Sequence, residues 1–185
     1  PSMVCSGERL DDHSFEMTLR IIMDGLNHHY GNEGRQLPEK VGLIRDGQFF
    51  ENPNIISKIE KEYGVSFVVI DVKKQGAPKL ASGNEYRFVS ANCGTIIIGD
   101  NMGYIQTTGN GSNLGTPILR KISVIKGDVV ISDILRDIFW LSKIHGGSTQ
   151  QPGLPIPQVY AHKLAKSAGR GVLIPNQFNT DLSFL

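Results

Sequence analysis

The chain has 185 residues, of which 39% are hydrophobic and 20% charged, and its formal net charge is +1. This composition is typical of a globular domain with a sizeable core, and the near-neutral charge means that any polyanion binding needs a local basic cluster. The chain contains no run of about 20 apolar residues, so no membrane span is expected. Its two cysteines, Cys5 and Cys93, form neither a metal-ligand motif nor a disulfide framework, which favours a reducing, cytoplasmic location.

The first half of the chain predicts helices that alternate with strands. Residues 1–7 are neither a signal peptide nor a natural start, which indicates part of a longer protein. Asp11 and Asp12 can cap a helix that ends near Gly31, because apolar residues recur there with a helical period. A strand at 41–44, a helix at 53–63 and a β-branched strand at 65–72 follow. This order implies a parallel pair of strands joined by a crossover.

The second half predicts a different architecture. Short apolar or alternating runs at 86–89, 94–99, 104–108 and 119–125 are separated by Gly, Asn and Ser, which indicates antiparallel strands and loops. An amphipathic helix at 131–144 follows, with Trp140 expected in the core, and a final helix is expected at about 158–168. No repeat or linker interrupts the chain, so residues 1–185 are predicted to form one structural unit.

Three residues are candidates for chemistry. Asp46 lies in an Arg-Asp-Gly turn that ends the predicted strand, and a strand end is a rigid place from which to present a metal-binding carboxylate. Glu8 precedes the first helix, and His162 lies in the first turns of the last one. Their oxygen and nitrogen donors suit a divalent cation, but sequence spacing alone does not bring them together. A turn, a solvated loop residue and a helix-surface imidazole are the simpler interpretations.

A series of motifs along the chain resembles the C-terminal part of the PIWI domain of Argonaute proteins, in the style of the prokaryotic members. In order, the motifs are Gly-Glu-Arg-Leu at 7–10, Gly-Leu-Ile-Arg-Asp-Gly-Gln at 42–48, Phe-Val-Val-Ile-Asp-Val-Lys-Lys at 67–74, Asn-Leu-Gly-Thr-Pro-Ile-Leu-Arg-Lys at 113–121, Ile-Phe-Trp-Leu-Ser-Lys at 138–143 and Leu-Pro-Ile-Pro-Gln-Val-Tyr-Ala-His-Lys-Leu-Ala at 154–165. The resemblance covers essentially the whole chain.

The resemblance implies an α/β ribonuclease H-like fold, with a mixed sheet flanked by helices and without its first strands. It also implies guide-directed cleavage of a paired target strand by two-metal hydrolysis with Mg²⁺ or Mn²⁺. Asp46 matches the family's second aspartate, Glu8 the mobile glutamate and His162 the fourth ligand, while the first aspartate lies upstream. Because histidine must be neutral to bind metal, cleavage is expected to fall at acidic pH.

The resemblance also implies contacts to a guide strand. The C-terminal carboxylate of Leu185 matches the group that helps to hold a metal at the guide 5′-phosphate. Candidate phosphate contacts are Lys73, Lys74, Arg120, Lys121, Lys163 and Lys166. Arg120 is a shifted candidate, because many relatives carry a basic residue where this chain has Ile118. The expected partners are a guide and a target strand, each DNA or RNA. The remaining Argonaute portion (N, PAZ, MID and the start of PIWI) is expected in the same or another chain. No membrane partner is expected.

Two alternatives remain open at the level of sequence. One is a catalytically inactive guide-binding module, because the first aspartate is not in this chain. The other is an unrelated ribonuclease H-like nuclease or integrase. If the first strands of the sheet lie elsewhere, the strand at 41–44 exposes a hydrophobic edge, which another segment is expected to cover.

Overall fold

The computed structural model describes residues 10–73, 77–84, 87–108, 119–144 and 153–170. Helices and strands alternate in its first part, and short strands dominate the middle. The elements are α1 (Asp12–Asn32), β1 (Lys40–Asp46), α2 (Pro53–Tyr63), β2 (Ser66–Lys73), β3 (Ala81–Asn84), β4 (Arg87–Ser90), β5 (Ile96–Ile98), β6 (Met102–Ile105), β7 (Arg120–Lys126), α3 (Ile131–Leu141) and α4 (Ile156–Gly169).

Five of the strands form one mixed sheet in the order β1-β2-β7-β6-β5. β1 and β2 are parallel, with α2 as their crossover, whereas the β2–β7, β6–β7 and β5–β6 pairs are antiparallel. The predicted parallel pair and the predicted antiparallel middle are therefore confirmed. β3 and β4 pair only with each other among the described strands, as a separate two-stranded sheet. Within the described residues β1 is an edge strand, as the sequence predicted.

Apolar clusters cover both faces of this sheet. On one face, α1 and α2 pack against β2 through Leu19, Met23, Ile56, Ile59 and Phe67, each no more than 2% exposed. On the other face α3 packs against β2 and β7 through Val72, Ile122, Leu135 and Ile138, which are equally buried. Because β2 is covered on both sides, its residues form the continuous apolar run that the sequence shows.

Local signals define the helix ends. Asp11 caps α1, because its Oδ1 accepts a hydrogen bond of 2.9 Å from the Ser14 backbone N–H. Asn52 caps α2 in the same way, because its Oδ1 accepts a hydrogen bond of 3.0 Å from the Asn54 backbone N–H. Gly64 ends α2 with a φ of 67°, the left-handed conformation that favours glycine.

The prediction that Trp140 belongs to the core is wrong. Its side chain is 57% exposed, whereas Ile134, Leu135 and Ile138 of the same helix are buried. Residues 134 and 138 lie on one side of α3, and position 140 is turned about 200° away from 138, towards solvent. The Trp140 ring instead packs edge-on against Phe139, with ring centroids 5.3 Å apart.

Candidate active site

Asp46 is the last residue of β1, next to Val72 of the parallel strand β2. The strand ends there because Gly47 adopts a φ of 92°, and the Gly47 N–H donates to the Val72 carbonyl at 3.2 Å. Side chains alternate along a strand, so Asp46 projects from the same face as Ile44, the face covered by α3. Arg45 projects from the opposite face, towards α1 and α2.

His162 and Asp46 line the same cleft. The cleft has a volume of about 730 Å³ and runs along the edge strand β1, with α4 as its other wall. Its lining on α4 includes Gln158, Ala161, His162 and Ala165, which recur at intervals of three and four residues and so share one helix face. The strand-end carboxylate and the imidazole, 116 residues apart in sequence (162 − 46), are therefore brought to one cavity.

The turn before α4 is fixed to the sheet by hydrogen bonds to Gly153. The carbonyl oxygen of Gly153 accepts a hydrogen bond of 2.7 Å from the Thr107 hydroxyl and one of 3.2 Å from Arg120 Nε. A Cβ at position 153 would lie 3.0 Å from Arg120 Nη2 and 3.1 Å from Thr108 Cγ2. Only glycine therefore fits here without a displacement of these side chains. This attachment sets where α4 begins and hence where His162 lies.

Arg120 also lies within electrostatic reach of Asp46. Burial lowers the pKa of the Arg120 guanidinium, and the negative charge of Asp46 acts in the opposite direction. As the first residue of β7, Arg120 projects from the face of the sheet that carries Asp46. Arg120, which the sequence analysis considered as a shifted phosphate contact, therefore places a positive charge close to Asp46.

The other predicted phosphate contacts are divided among different surfaces. Lys73 and Lys121 are directly paired across β2 and β7, on the sheet face opposite Arg120. Lys163 and Lys166 are exposed on α4, and neither belongs to the cleft lining. Lys74 lies outside the described residues, as do Glu8 and Leu185. The described residues contain no group of three or more His, Cys, Asp or Glu side chains that could hold a metal ion.

The sequence did not reveal two buried polar side chains near the cleft. Gln158 lines the cleft one turn before His162, is 5% exposed, and neither of its side-chain amide atoms has a hydrogen-bond partner among the described residues. Glu51 is 4% exposed and forms an ion pair with Arg45 on the opposite face of the sheet. Glutamine and glutamate are usually exposed, so nothing in the local sequence marks either one as buried.

Solved Argonaute structures share this architecture. The chain matches Clostridium butyricum Argonaute, bound to a guide DNA and a 19-mer target DNA, with 30% identity and a TM-score of 0.77 over 89% of this chain and 21% of that one. The chain is an Argonaute-like segment. The resemblance seen in the sequence motifs is therefore confirmed.

More distant Argonautes support the fold of this Argonaute-like segment. Marinitoga piezophila Argonaute, in complex with 5′ OH guide RNA and target DNA, matches at 18% identity and a TM-score of 0.62, over 90% of this chain and 25% of that one. Aquifex aeolicus Argonaute matches at 19% identity and a TM-score of 0.64, over 88% and 23%. The predicted ribonuclease H-like class, a mixed sheet flanked by helices, is confirmed.

The Argonaute-like segment spans between a fifth and a quarter of the length of these proteins. No protein-family model and no curated protein matches it. Among the described helices, none is both long and apolar enough to cross a membrane.

Proposed function

We propose that the chain is part of the PIWI domain of a guide-directed endonuclease and supplies Asp46 and His162 to its divalent-metal site. The observation that carries the proposal is the common cleft of these two side chains at the end of edge strand β1. The similarity to Argonautes solved with guide and target strands supports the nucleic-acid substrate. The remaining parts of an Argonaute (N, PAZ, MID and the start of PIWI) would complete the protein.

The donor atoms at the cleft fit Mg²⁺ or Mn²⁺ as part of a coordination shell. A carboxylate oxygen suits either ion, and an imidazole nitrogen is acceptable to Mn²⁺ in particular. Asp46 and His162 are two donors, so the proposal requires further ligands, for which Glu8 and an upstream aspartate are the candidates. When bound, divalent ions supply Lewis-acid stabilisation of the phosphate and a more acidic water molecule.

The residues of the chain itself would bind and orient the reacting groups. Asp46, at a strand end anchored by the Gly47 hydrogen bond to Val72, would offer a carboxylate oxygen. His162 would offer an imidazole nitrogen from the facing helix. Arg120 offers a guanidinium beside Asp46, where it can attract the phosphate of a target strand.

Guide binding is the second part of the proposal. The carboxylate of Leu185 would hold a metal at the guide 5′-phosphate, and basic side chains would contact the backbone. Lys73 and Lys121 are the best supported of the lysines, because like charges directly opposite each other in a sheet repel and a phosphate between them would relieve that repulsion. Lys74, Lys163 and Lys166 complete the candidate set.

A guide-binding module without cleavage activity is the second candidate function. It rests on the same similarity to Argonautes solved with guide and target strands, and it needs no complete metal site in the cleft. The two functions share the nucleic-acid contacts and differ only at the cleft. They are therefore distinguished by cleavage measured alongside guide binding.

The test is a cleavage assay on the intact protein, with DNA and RNA guides crossed against DNA and RNA targets, with and without Mn²⁺. The wild type should cut at least one guide–target pair only when Mn²⁺ is present. Asp46→Ala should abolish cleavage while guide affinity is retained. The matched control is Asp100→Ala, which removes a carboxylate at the opposite end of the sheet and should leave cleavage intact. Cleavage by Asp46→Ala at the wild-type rate would refute the proposal, and no cleavage by the wild type with any pair would favour the binding module.

A further inference from the structure

A buried charged cluster lies beside Asp46, on the face of the sheet that carries α1 and α2, and one of its members, Arg45, also lines the cleft. Its members are Arg45 of β1, Asp71 of β2 and Glu51, which precedes α2. The Glu51 side chain is 2% exposed and the Arg45 side chain 29%, while Asp71 is 2% exposed as a whole residue. Charged side chains are rarely buried to this degree without a structural or functional reason.

The cluster holds the turn that follows Asp46. Arg45 Nη2 lies 3.0 Å from Glu51 Oε1, and the second oxygen of Glu51 accepts 3.0 Å from the Phe50 N–H. Asp71 is the direct neighbour of Arg45 across the parallel pair, and its Oδ2 accepts 3.3 Å from the Phe49 N–H. The backbone N–H groups of residues 47, 49 and 50 are thus tied to β2 or to Glu51.

The Arg45–Glu51 ion pair closes a loop whose first residue is Asp46. One end of the pair is the residue immediately before Asp46, and the other immediately precedes Asn52, the cap of α2. The Phe49 ring is anchored as well, because it packs edge-on against Phe15 of α1, with centroids 6.0 Å apart. The backbone on both sides of Asp46 is therefore fixed by side chains on the far face of the sheet.

This arrangement restricts rotation of the strand end that carries Asp46. Neighbouring side chains of a strand project to opposite faces, so a rotation of the strand end that moves Arg45 must move Asp46 in the opposite sense. The partner of Arg45 is the Glu51 carboxylate, which is buried and therefore has little room to move. The pairing on one face thus limits the rotation of the carboxylate on the other.

We propose that Glu51, through Arg45 and with support from Asp71, is a positioning residue that orients Asp46 for divalent-metal binding. The proposal rests on the proposed function, because it assumes that Asp46 is a metal ligand. It assigns to Glu51 no contact with metal or nucleic acid. Its effect is expected in metal affinity and not in affinity for guide or target, since Glu51 pairs with Arg45 and not with a side chain proposed to contact phosphate.

The experiment measures Mn²⁺ binding to the intact, guide-loaded protein by electron paramagnetic resonance, alongside cleavage. The relevant site is the Mn²⁺ that the wild type binds and Asp46→Ala does not. Glu51→Gln keeps the shape of the side chain and removes its charge. We expect its Mn²⁺ dissociation constant at that site to rise about 10-fold, the lower end of the effect of losing a group that hydrogen-bonds a metal ligand directly, because Glu51 acts through Arg45. The Michaelis constant for the target should stay within about twofold of the wild-type value, because uniform substrate binding is untouched.

Glu62→Gln is the matched control. Glu62 also lies in the α1–α2 region and also pairs with an arginine, Arg20, but that pair is exposed. Its Mn²⁺ affinity should equal that of the wild type. Should Glu51→Gln fail to fold, Arg45→Lys keeps the buried charge of Glu51 compensated while it removes the planar guanidinium, and the same rise in the Mn²⁺ dissociation constant is expected.

The outcomes separate this inference from the proposed function. Wild-type Mn²⁺ affinity in Glu51→Gln, or in Arg45→Lys where that variant is the one that folds, overturns the positioning role even when Asp46→Ala abolishes binding. If instead Asp46→Ala binds the same number of Mn²⁺ ions as the wild type and still cleaves, the proposed function itself is wrong. A parallel loss of target affinity in Glu51→Gln would also overturn the inference, because it would indicate a general structural defect.

Discussion

Replacement of Arg45 by methionine should destabilise the β1–α2 region far more than the loss of an exposed arginine nearby. The change leaves Glu51, whose side chain is 2% exposed, without its ion-pair partner. Breaking a buried pair typically costs about 3–5 kcal/mol, and the partial exposure of Arg45 places the expected loss near the lower end, about 3 kcal/mol. For comparison, Arg20→Met removes pairs with Glu16 and Glu62 that are each at least a quarter exposed, and should cost much less, because exposed ion pairs contribute little to stability.

Hydrogen exchange measured by mass spectrometry on the intact protein gives the local opening free energy of the segment 40–63 for both variants. The double variant Arg45→Met/Glu51→Leu removes both buried charges and should recover most of the lost protection, because an apolar pair of similar volume carries no desolvation penalty. Equal losses in Arg45→Met and Arg20→Met, or no recovery in the double variant, would refute the reasoning that Glu51 depends on Arg45.

Two other perturbations have signs that follow from the structure. Burial raises the pKa of the Asp71 carboxyl above 3.8, the ordinary value for aspartate and the one expected in the unfolded chain. The Phe49 N–H, Lys73 and Arg45 act in the opposite direction. The folded state therefore takes up this proton first, and the unfolding temperature of the wild type relative to Asp71→Asn should increase as the pH falls from the folded-state pKa towards 3.8; a decrease in that window would contradict the assigned shift. Gly103→Ala places a Cβ 2.6 Å from Leu135 Cδ1 and 2.9 Å from the Ile97 carbonyl, and should lower stability by about 1–3 kcal/mol. Gly25→Ala in α1 meets nothing within 4 Å and should raise stability by about 0.5–1 kcal/mol; denaturant unfolding that gives both substitutions the same sign would contradict the packing around Gly103.

The helices and the parallel pair could be predicted from sequence because their signals are local. Asp11, Asn52 and Gly64 mark helix ends through their own side chains or backbone conformation. The apolar spacing of α1 and α2 matches most of the residues that are buried, although Ile22, on the predicted apolar face of α1, is 40% exposed. Trp140 was misplaced for the complementary reason. Its exposure depends on which side of α3 meets the sheet, and an aromatic residue in an apolar helix carries no local mark of that choice.

The candidate site was predictable only as far as motifs extend. Asp46 and His162 were identified by resemblance, and their shared cleft depends on the placement of α4 by Gly153, a contact between distant parts of the chain. The position of Arg120 beside Asp46 and the burial of Glu51 are likewise tertiary facts that spacing does not encode. Glu8, Lys74 and Leu185 lie outside the described residues, so their assigned roles stay predictions.

The central claim is that one divalent ion binds to Asp46 and His162 together, and affinity cleavage with Fe²⁺ tests it most directly. In the intact protein Fe²⁺ would replace Mn²⁺, and ascorbate with peroxide would generate radicals that cut the backbone beside the ion. The wild type should be cut near both residue 46 and residue 162, excess Mn²⁺ should suppress both cuts, and Asp46→Ala should lose both. Cutting near residue 162 that persists in Asp46→Ala, or the absence of a Mn²⁺-sensitive cut near residue 46 in the wild type, would contradict the claim.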